Sequence, residues 1–169
     1  MKKLKLGVSS CLLGESVRYN GEHKRDSTVI DLLGQQFEAV PVCPEVELGM
    51  GVPREPVRLV ANDASPERMV GSESGKDWTQ AMVDFNSIKL EALRQQNLSG
   101  FIFKSRSPSC GPGNVPLHHE REKSSTVGLF AHALMQYFPS LPVIDEEALQ
   151  DEIVRQDFVA RVIQYGEKV

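Results

Sequence analysis

Cys11, Cys43 and Cys110 are the only thiols in the 169-residue chain, and each stands just beyond a short apolar run. Cys11 comes after Leu4-Lys5-Leu6-Gly7-Val8. Cys43 directly follows Phe37-Glu38-Ala39-Val40-Pro41-Val42. Cys110 comes after Phe101-Ile102-Phe103 and a stretch rich in Ser, Pro and Gly. If those runs are parallel strands, all three thiols lie at the carboxyl edge of one sheet, where open α/β sheets build their sites. Three thiolates converging there describe a metal site with one coordination position left open. Soft thiolates select zinc, copper(I) or iron–sulfur clusters. The spacings are 32 and 67 residues with no Cys-x-x-Cys. That removes zinc ribbons and knuckles, thioredoxin-type motifs and local ferredoxin spacing. A shared site would have to be assembled by the fold from distant loops. The plainer alternative is three buried small hydrophobes. The neighbours Ser-Ser-Cys-Leu-Leu-Gly, Val-Cys-Pro-Glu and Ser-Pro-Ser-Cys-Gly-Pro-Gly are loop sequences at strand ends and count against it.

Other groups cluster near these thiols in the sequence. Glu45 stands two residues after Cys43 behind Pro44, whose ring fixes its own backbone torsion. A carboxylate beside a metal site serves as general base or acid, and an exposed loop glutamate is the competing reading. Ser105, Ser107 and Ser109 precede Cys110. Their hydroxyls suit either substrate orientation or plain turn chemistry. Gly111-Pro112-Gly113 lets backbone amides approach a sulfide or an anion. Gly49-Met50-Gly51 is too short a pattern for a dinucleotide site. Arg54 and Arg58 could hold Glu45 or Glu47, or meet a substrate carbonyl. Lys104 is ambiguous in the same way. Tyr19 could stack on a planar ring. His118 and His119 read as solvated loop residues rather than ligands.

The elements that must position these groups are legible in outline. Leu4–Ser9, Phe37–Val42, Phe101–Phe103 and Pro142–Ile144 read as strands. Asp26-Ser27-Thr28 starts a helix that Gly34 stops. Arg58–Ala61 and Arg68–Val70 suggest a small hairpin across residues 62–67. A long helix is expected from about Asp77 to Asn97, with Trp78, Met82, Phe85, Ile88 and Ala92 as its stripe. Leu98-Ser99-Gly100 ends it. Residues 44–57 and 105–125 look irregular. Helices follow over about Thr126–Phe138 and, in two pieces, Glu146–Tyr165, the latter with Asp145, Glu146 and Glu147 as an acidic first turn. Strands alternating with helices imply an α/β fold. The expectation is a single domain over 1–169, with a mostly parallel Rossmann-like sheet flanked by helices and a small hairpin insertion.

Bulk properties narrow the partners. Hydrophobic content is 40%, charged content 25% and net charge −4, ordinary for a soluble domain. No basic face suggests nucleic acid, and no apolar run approaches a membrane span. Lys5 breaks the apolar stretch that a signal peptide would need. The expected compartment is the cytoplasm, without nucleic-acid or membrane partners.

Five stretches together resemble a known family: Gly7-Val8-Ser9-Ser10-Cys11-Leu12-Leu13-Gly14, Arg18-Tyr19-Asn20-Gly21, Cys43-Pro44-Glu45, residues 49–56 from Gly49 to Pro56, and Lys104-Ser105-Arg106-Ser107-Pro108-Ser109-Cys110-Gly111. To roughly residue 140 the chain looks like the bacterial thiouracil desulfidase family. The resemblance implies a [4Fe–4S] cluster held by Cys11, Cys43 and Cys110, with one iron free of protein ligands. It implies a thiolated nucleobase or nucleoside such as 2-thiouracil or 4-thiouracil as substrate. It maps the catalytic carboxylate onto Glu45 and a catalytic or orienting serine onto Ser107, with Ser109 second. The reaction implied is non-redox: water replaces sulfur and sulfide leaves. Two other readings compete, an iron–sulfur or zinc sensor without turnover and a thiol redox protein using Cys43.

Overall fold

Each apolar run that leads to a cysteine forms a strand, and those three strands are immediate neighbours. In the computed structural model, which describes residues 2–168, the order is β1 (Leu4–Ser9), α1 (Ser27–Gln36), β2 (Phe37–Val42), α2 (Pro44–Leu48), β3 (Val57–Asn62), β4 (Ser65–Gly71), α3 (Thr79–Gln96), β5 (Leu98–Phe103), β6 (Val115–His119), β7 (Lys123–Thr126), α4 (Leu129–Tyr137), β8 (Val143–Asp145) and α5 (Glu152–Glu167), with short 3-10 turns at Ser10–Leu13 and Ala148–Gln150. The first sheet runs β2-β1-β5-β8, and every pairing in it is parallel. All six residues of β5 are buried, as a central strand covered on both faces requires.

The second sheet runs β4-β3-β6-β7 and is mixed, with β3 and β6 parallel and the outer pairs antiparallel. Its inner face joins the first sheet in one core. Leu59 and Met69 pack in the same cluster as Phe101, Phe103, Phe130 and Leu134. On the opposite face of the parallel sheet, Leu6, Val8, Ile102 and Ile144 pack with Leu32 and Leu33 of α1 and Phe158 and Val162 of α5. The molecule is therefore an α/β single domain in which a second sheet takes the place of part of the usual helical layer.

Several expectations are corrected. The hairpin is not a small insertion; it is half of that second sheet. The stretch 105–125 is not one long loop, because it contributes β6 and β7. Residues 44–57 contain the short helix α2. Gly34 does not stop α1, which continues to Gln36. Asn97, in the left-handed conformation (φ 55°), ends α3, and β5 begins at the next residue rather than at Phe101. Ile88 is 75% exposed. Steps of three residues drift backwards around a helix by about 60° each, so the Met82–Phe85–Ile88 series leaves the core, which α3 meets through Met82, Asn86, Leu90 and Leu93. Glu146 opens no helix, since Asp151 caps α5 by accepting from the amides of Ile153 and Val154.

Candidate active site

Parallel pairing in register brings the carboxyl ends of β2, β1 and β5 side by side, and the chain leaving each end carries one thiol. Cys11 sits in the 3-10 turn after β1. Its carbonyl accepts from the amides of Gly14 (3.2 Å) and Lys24 (2.9 Å). Cys43 is the N-cap of α2, with Pro44 next to it. The Glu47 carboxylate reaches back to accept from the Cys43 amide (2.9 Å) and is itself held by Lys89 (2.6 Å). Cys110 ends the loop that leaves β5. There, Ser107 Oγ accepts from the amides of Ser109 (3.2 Å) and Cys110 (3.0 Å). The Gly111 amide donates to Ser107 O (2.9 Å), so it is not open to an anion.

The loop is also fixed from the other side. The first amides of a helix lack partners within it. In α4 they are satisfied by this loop: Leu129 N donates to Pro108 O, and Phe130 N and Ala131 N donate to Ser109 O, each at 3.0 Å. A Cβ on Gly128 would stand 2.6 Å from both Ser109 C and Ser109 O, so only glycine permits this approach.

All three cysteines are free thiols, Cys11 and Cys110 buried and Cys43 half-buried. They line one cavity of about 700 Å³ together with Ser9, Ser10, Tyr19, Glu45, Arg54, Lys104, Ser107 and Glu146, among others. Burial pushes the Cys11 thiol up to about 11. Burial raises Cys43 too, and Glu45 adds to the rise. Cys110 is driven well above the usual thiol range by burial first, with the charges of Cys11, Cys43 and Glu45 adding to it. Three thiols that oppose one another's ionisation are held as thiolates only by a cationic centre among them, which is the chemistry of a metal ligand set. Among the described residues, no three His, Cys, Asp or Glu side chains close on a single ion. A cubane asks for less, because each cysteine binds a different iron. The residues fit a cluster better than a lone zinc.

Glu45 lies on α2, 14% exposed, with both oxygens engaged. Arg54 Nε donates to Oε1 (3.1 Å) and Ser109 Oγ donates to Oε2 (2.9 Å). Arg54 is 7% exposed and is itself anchored. Its Nη1 donates to Val17 O (2.9 Å) and Gly51 O (3.0 Å), and its amide donates to Tyr19 O (2.8 Å). Of the options left open for Arg54, the structure takes the Glu45 partnership; Arg58 lines another groove with His118 and His119, apart from the thiols. Ser107 lines the cavity. Ser109 is 1% exposed and does not, its hydroxyl being turned to Glu45. Tyr19 lines the mouth, with the Arg18 guanidinium 5.6 Å from its ring.

Sequence reasoning missed one cluster. Lys104 Nζ donates to Glu146 Oε1 (2.6 Å), and Glu146 also accepts from Ser105 Oγ and Ser105 N, both at 2.7 Å. The available signal was a lysine directly after the apolar run Phe101–Phe103, at the end of a strand buried along its whole length.

Residues 6–146 match the 2-thiouracil desulfurase family. The chain is 34% identical over 112 residues to a Bacillus subtilis (strain 168) protein, uncharacterized protein YbbK, covering 64% of this chain and 74% of that one. Among solved structures it is similar to a [4Fe–4S]-dependent thiouracil desulfidase, TudS. The TM-score is 0.66 and the identity 32%, over 88% of this chain and 94% of the TudS chain.

Proposed function

The chain belongs to the 2-thiouracil desulfurase family, and from that premise we propose that it is a [4Fe–4S]-dependent enzyme removing sulfur from a thiolated uracil. Water replaces the sulfur, sulfide leaves, and no net electrons move. The observation that carries this reading is the meeting of three free thiols and one fully engaged carboxylate in a single cavity. Cys11, Cys43 and Cys110 would hold the cluster. When bound, the cluster supplies a Lewis-acidic iron without a protein ligand, to which a thiocarbonyl sulfur can bind.

The rest is the work of the chain's own side chains. Arg54 and Ser109 fix the plane of the Glu45 carboxylate, so its remaining lone pairs are presented in one direction. Glu45 takes a proton from the attacking water, the role of a general base. Ser107, bound through its oxygen to two amides, keeps its own proton free to orient the substrate or the water. Tyr19 covers the mouth as an aromatic surface for the planar ring. An odd number of cysteines gathered as one ligand set suits a reducing compartment, and among the described residues no helix is long and apolar enough to cross a membrane. The cytoplasm is the compartment this reading assigns.

The test is anaerobic reconstitution followed by incubation with 2-thiouracil or 4-thiouracil. The expected result is about four irons per chain, as cubane chemistry requires, and sulfide release without added reductant. A brown, iron-loaded protein that binds thiouracil and releases no sulfide is the sensor instead. A protein without iron that cycles its thiols is the redox alternative.

A further inference from the structure

Lys104 leaves the end of β5, and its amide donates to Ser9 Oγ (2.9 Å) at the end of β1. The pairing of these strands therefore sets Lys104 beside the turn that carries Cys11. Lys104, Glu146 and Cys11 all line the cavity. The ammonium is 19% exposed and the carboxylate 10%. All three ammonium protons have acceptors: Glu146 Oε1 (2.6 Å), Ser105 Oγ (3.0 Å) and Ser105 O (3.1 Å). The pair is thus immobile and holds no proton ready for transfer. Buried ion pairs add little stability compared with an apolar filling of the same space, and the reaction as derived above uses neither group.

What the pair does have is direction. Two opposite charges are held at fixed places on the wall of the cavity that the thiols share. We propose that Lys104 and Glu146 form a fixed electrostatic dipole that acts on the cluster. This rests on the cluster reading above. The positive end draws charge away from the sulfur ligands and so strengthens the hold of the open iron on an anionic sulfur.

The test is the midpoint potential of the cluster's one-electron couple, read by paramagnetic resonance during stepwise titration with dithionite under anaerobic conditions. The proteins compared are the loaded wild type, Lys104→Met, Glu146→Gln and the double variant. A dipole demands shifts of opposite sign. Lys104→Met moves the midpoint down, Glu146→Gln moves it up, and the double variant falls between them. A support for the fold alone would give shifts of one sign, or none, and either result overturns the proposal. If Lys104→Met loses iron, the double variant is read against Glu146→Gln, from which it differs only in Lys104: a lower midpoint supports the dipole and an equal one overturns it. Loss in both overturns it. A wild-type protein that takes up no cubane overturns the cluster reading and this inference with it, whereas a loaded wild type with no opposed shifts overturns this inference alone.

Discussion

Glu45 is the residue on which rate should depend most, and its surroundings say how. Glu45→Gln keeps the shape and an acceptor but removes the base. Loss of a general base costs ~10²–10⁴-fold, so sulfide release should slow by that factor while iron content and colour stay at the wild-type level. Loss of iron in this variant would make Glu45 part of the ligand support instead. Ser109 touches the cavity only through Glu45. Ser109→Ala should therefore slow turnover in the wild type and add almost nothing in the Glu45→Gln background, a non-additive cycle typical of residues sharing one network. Kinetics of the four proteins, with cluster content matched, reads this directly. The thiols and Glu45 were legible in the sequence because Cys11, Cys43 and Cys110 each follow a strand signal, directly or across a short loop, and Glu45 stands two residues after Cys43. The partners of Glu45 were legible in part: Arg54 was one of two arginines offered for Glu45, whereas Ser109 reaches it across 64 residues and nothing local distinguishes it from Ser105 as a partner.

Among the elements, α4 holds the Cys110 loop through its first amides, and this gives two glycines opposite fates. Gly128→Ala would drive a Cβ against Ser109 C and O at 2.6 Å. The loop must then shift, and with it Ser107 and Cys110; the expected outcome is a folded protein that binds iron poorly. Gly34 lies inside α1, with nothing within 4 Å of an added Cβ. Gly34→Ala should stabilise by roughly 0.5–1 kcal/mol through the backbone entropy that glycine loses. Urea unfolding and iron analysis of both variants separate the two effects. The elements with continuous or periodic apolar runs were readable: β1, β2, β5 and the longer helices α1, α3, α4 and α5. The strands β6 and β7 were not. Val115-Pro116-Leu117-His118-His119 has two strongly apolar positions and Lys123-Ser124-Ser125-Thr126 has none. Backbone pairing to β3 makes them strands, and pairing leaves little trace in composition. Lys123 also suits β7, an edge strand of this sheet, where an unpaired edge has to be blunted.

At the scale of the molecule, the ion pair of Lys104 and Glu146 ties β8 to the end of β5, and it makes stability depend on acid. Burial alone would raise the Glu146 carboxyl. Hydrogen bonds from Lys104 and from the Ser105 hydroxyl and amide outweigh that and leave it below the ordinary glutamate range. A carboxyl lowered in the folded state contributes stability that is complete above its unfolded value, about 4.3, and disappears as pH falls through the lower folded value. Urea midpoints measured in steps from neutral pH down past that point should drop less steeply for Glu146→Gln than for wild type. The two sheets share Leu59, Met69, Phe101 and Phe103 in one cluster, so they should melt together. Coincident transitions by fluorescence of Trp78, which packs against this cluster, and by far-ultraviolet circular dichroism would establish that. The parallel half of this architecture could be read from alternation of strands and helices; of the second sheet only the β3–β4 hairpin could, since β6 and β7 are segments that only tertiary pairing defines. The placement of the thiols carries a consequence for how the protein is made. Each belongs to a different strand end, and the neighbours β2, β1 and β5 become neighbours only when the sheet closes. No two ligands are near enough along the chain to capture iron on a nascent polypeptide. The three-thiol receptacle is therefore complete only once the parallel sheet has closed.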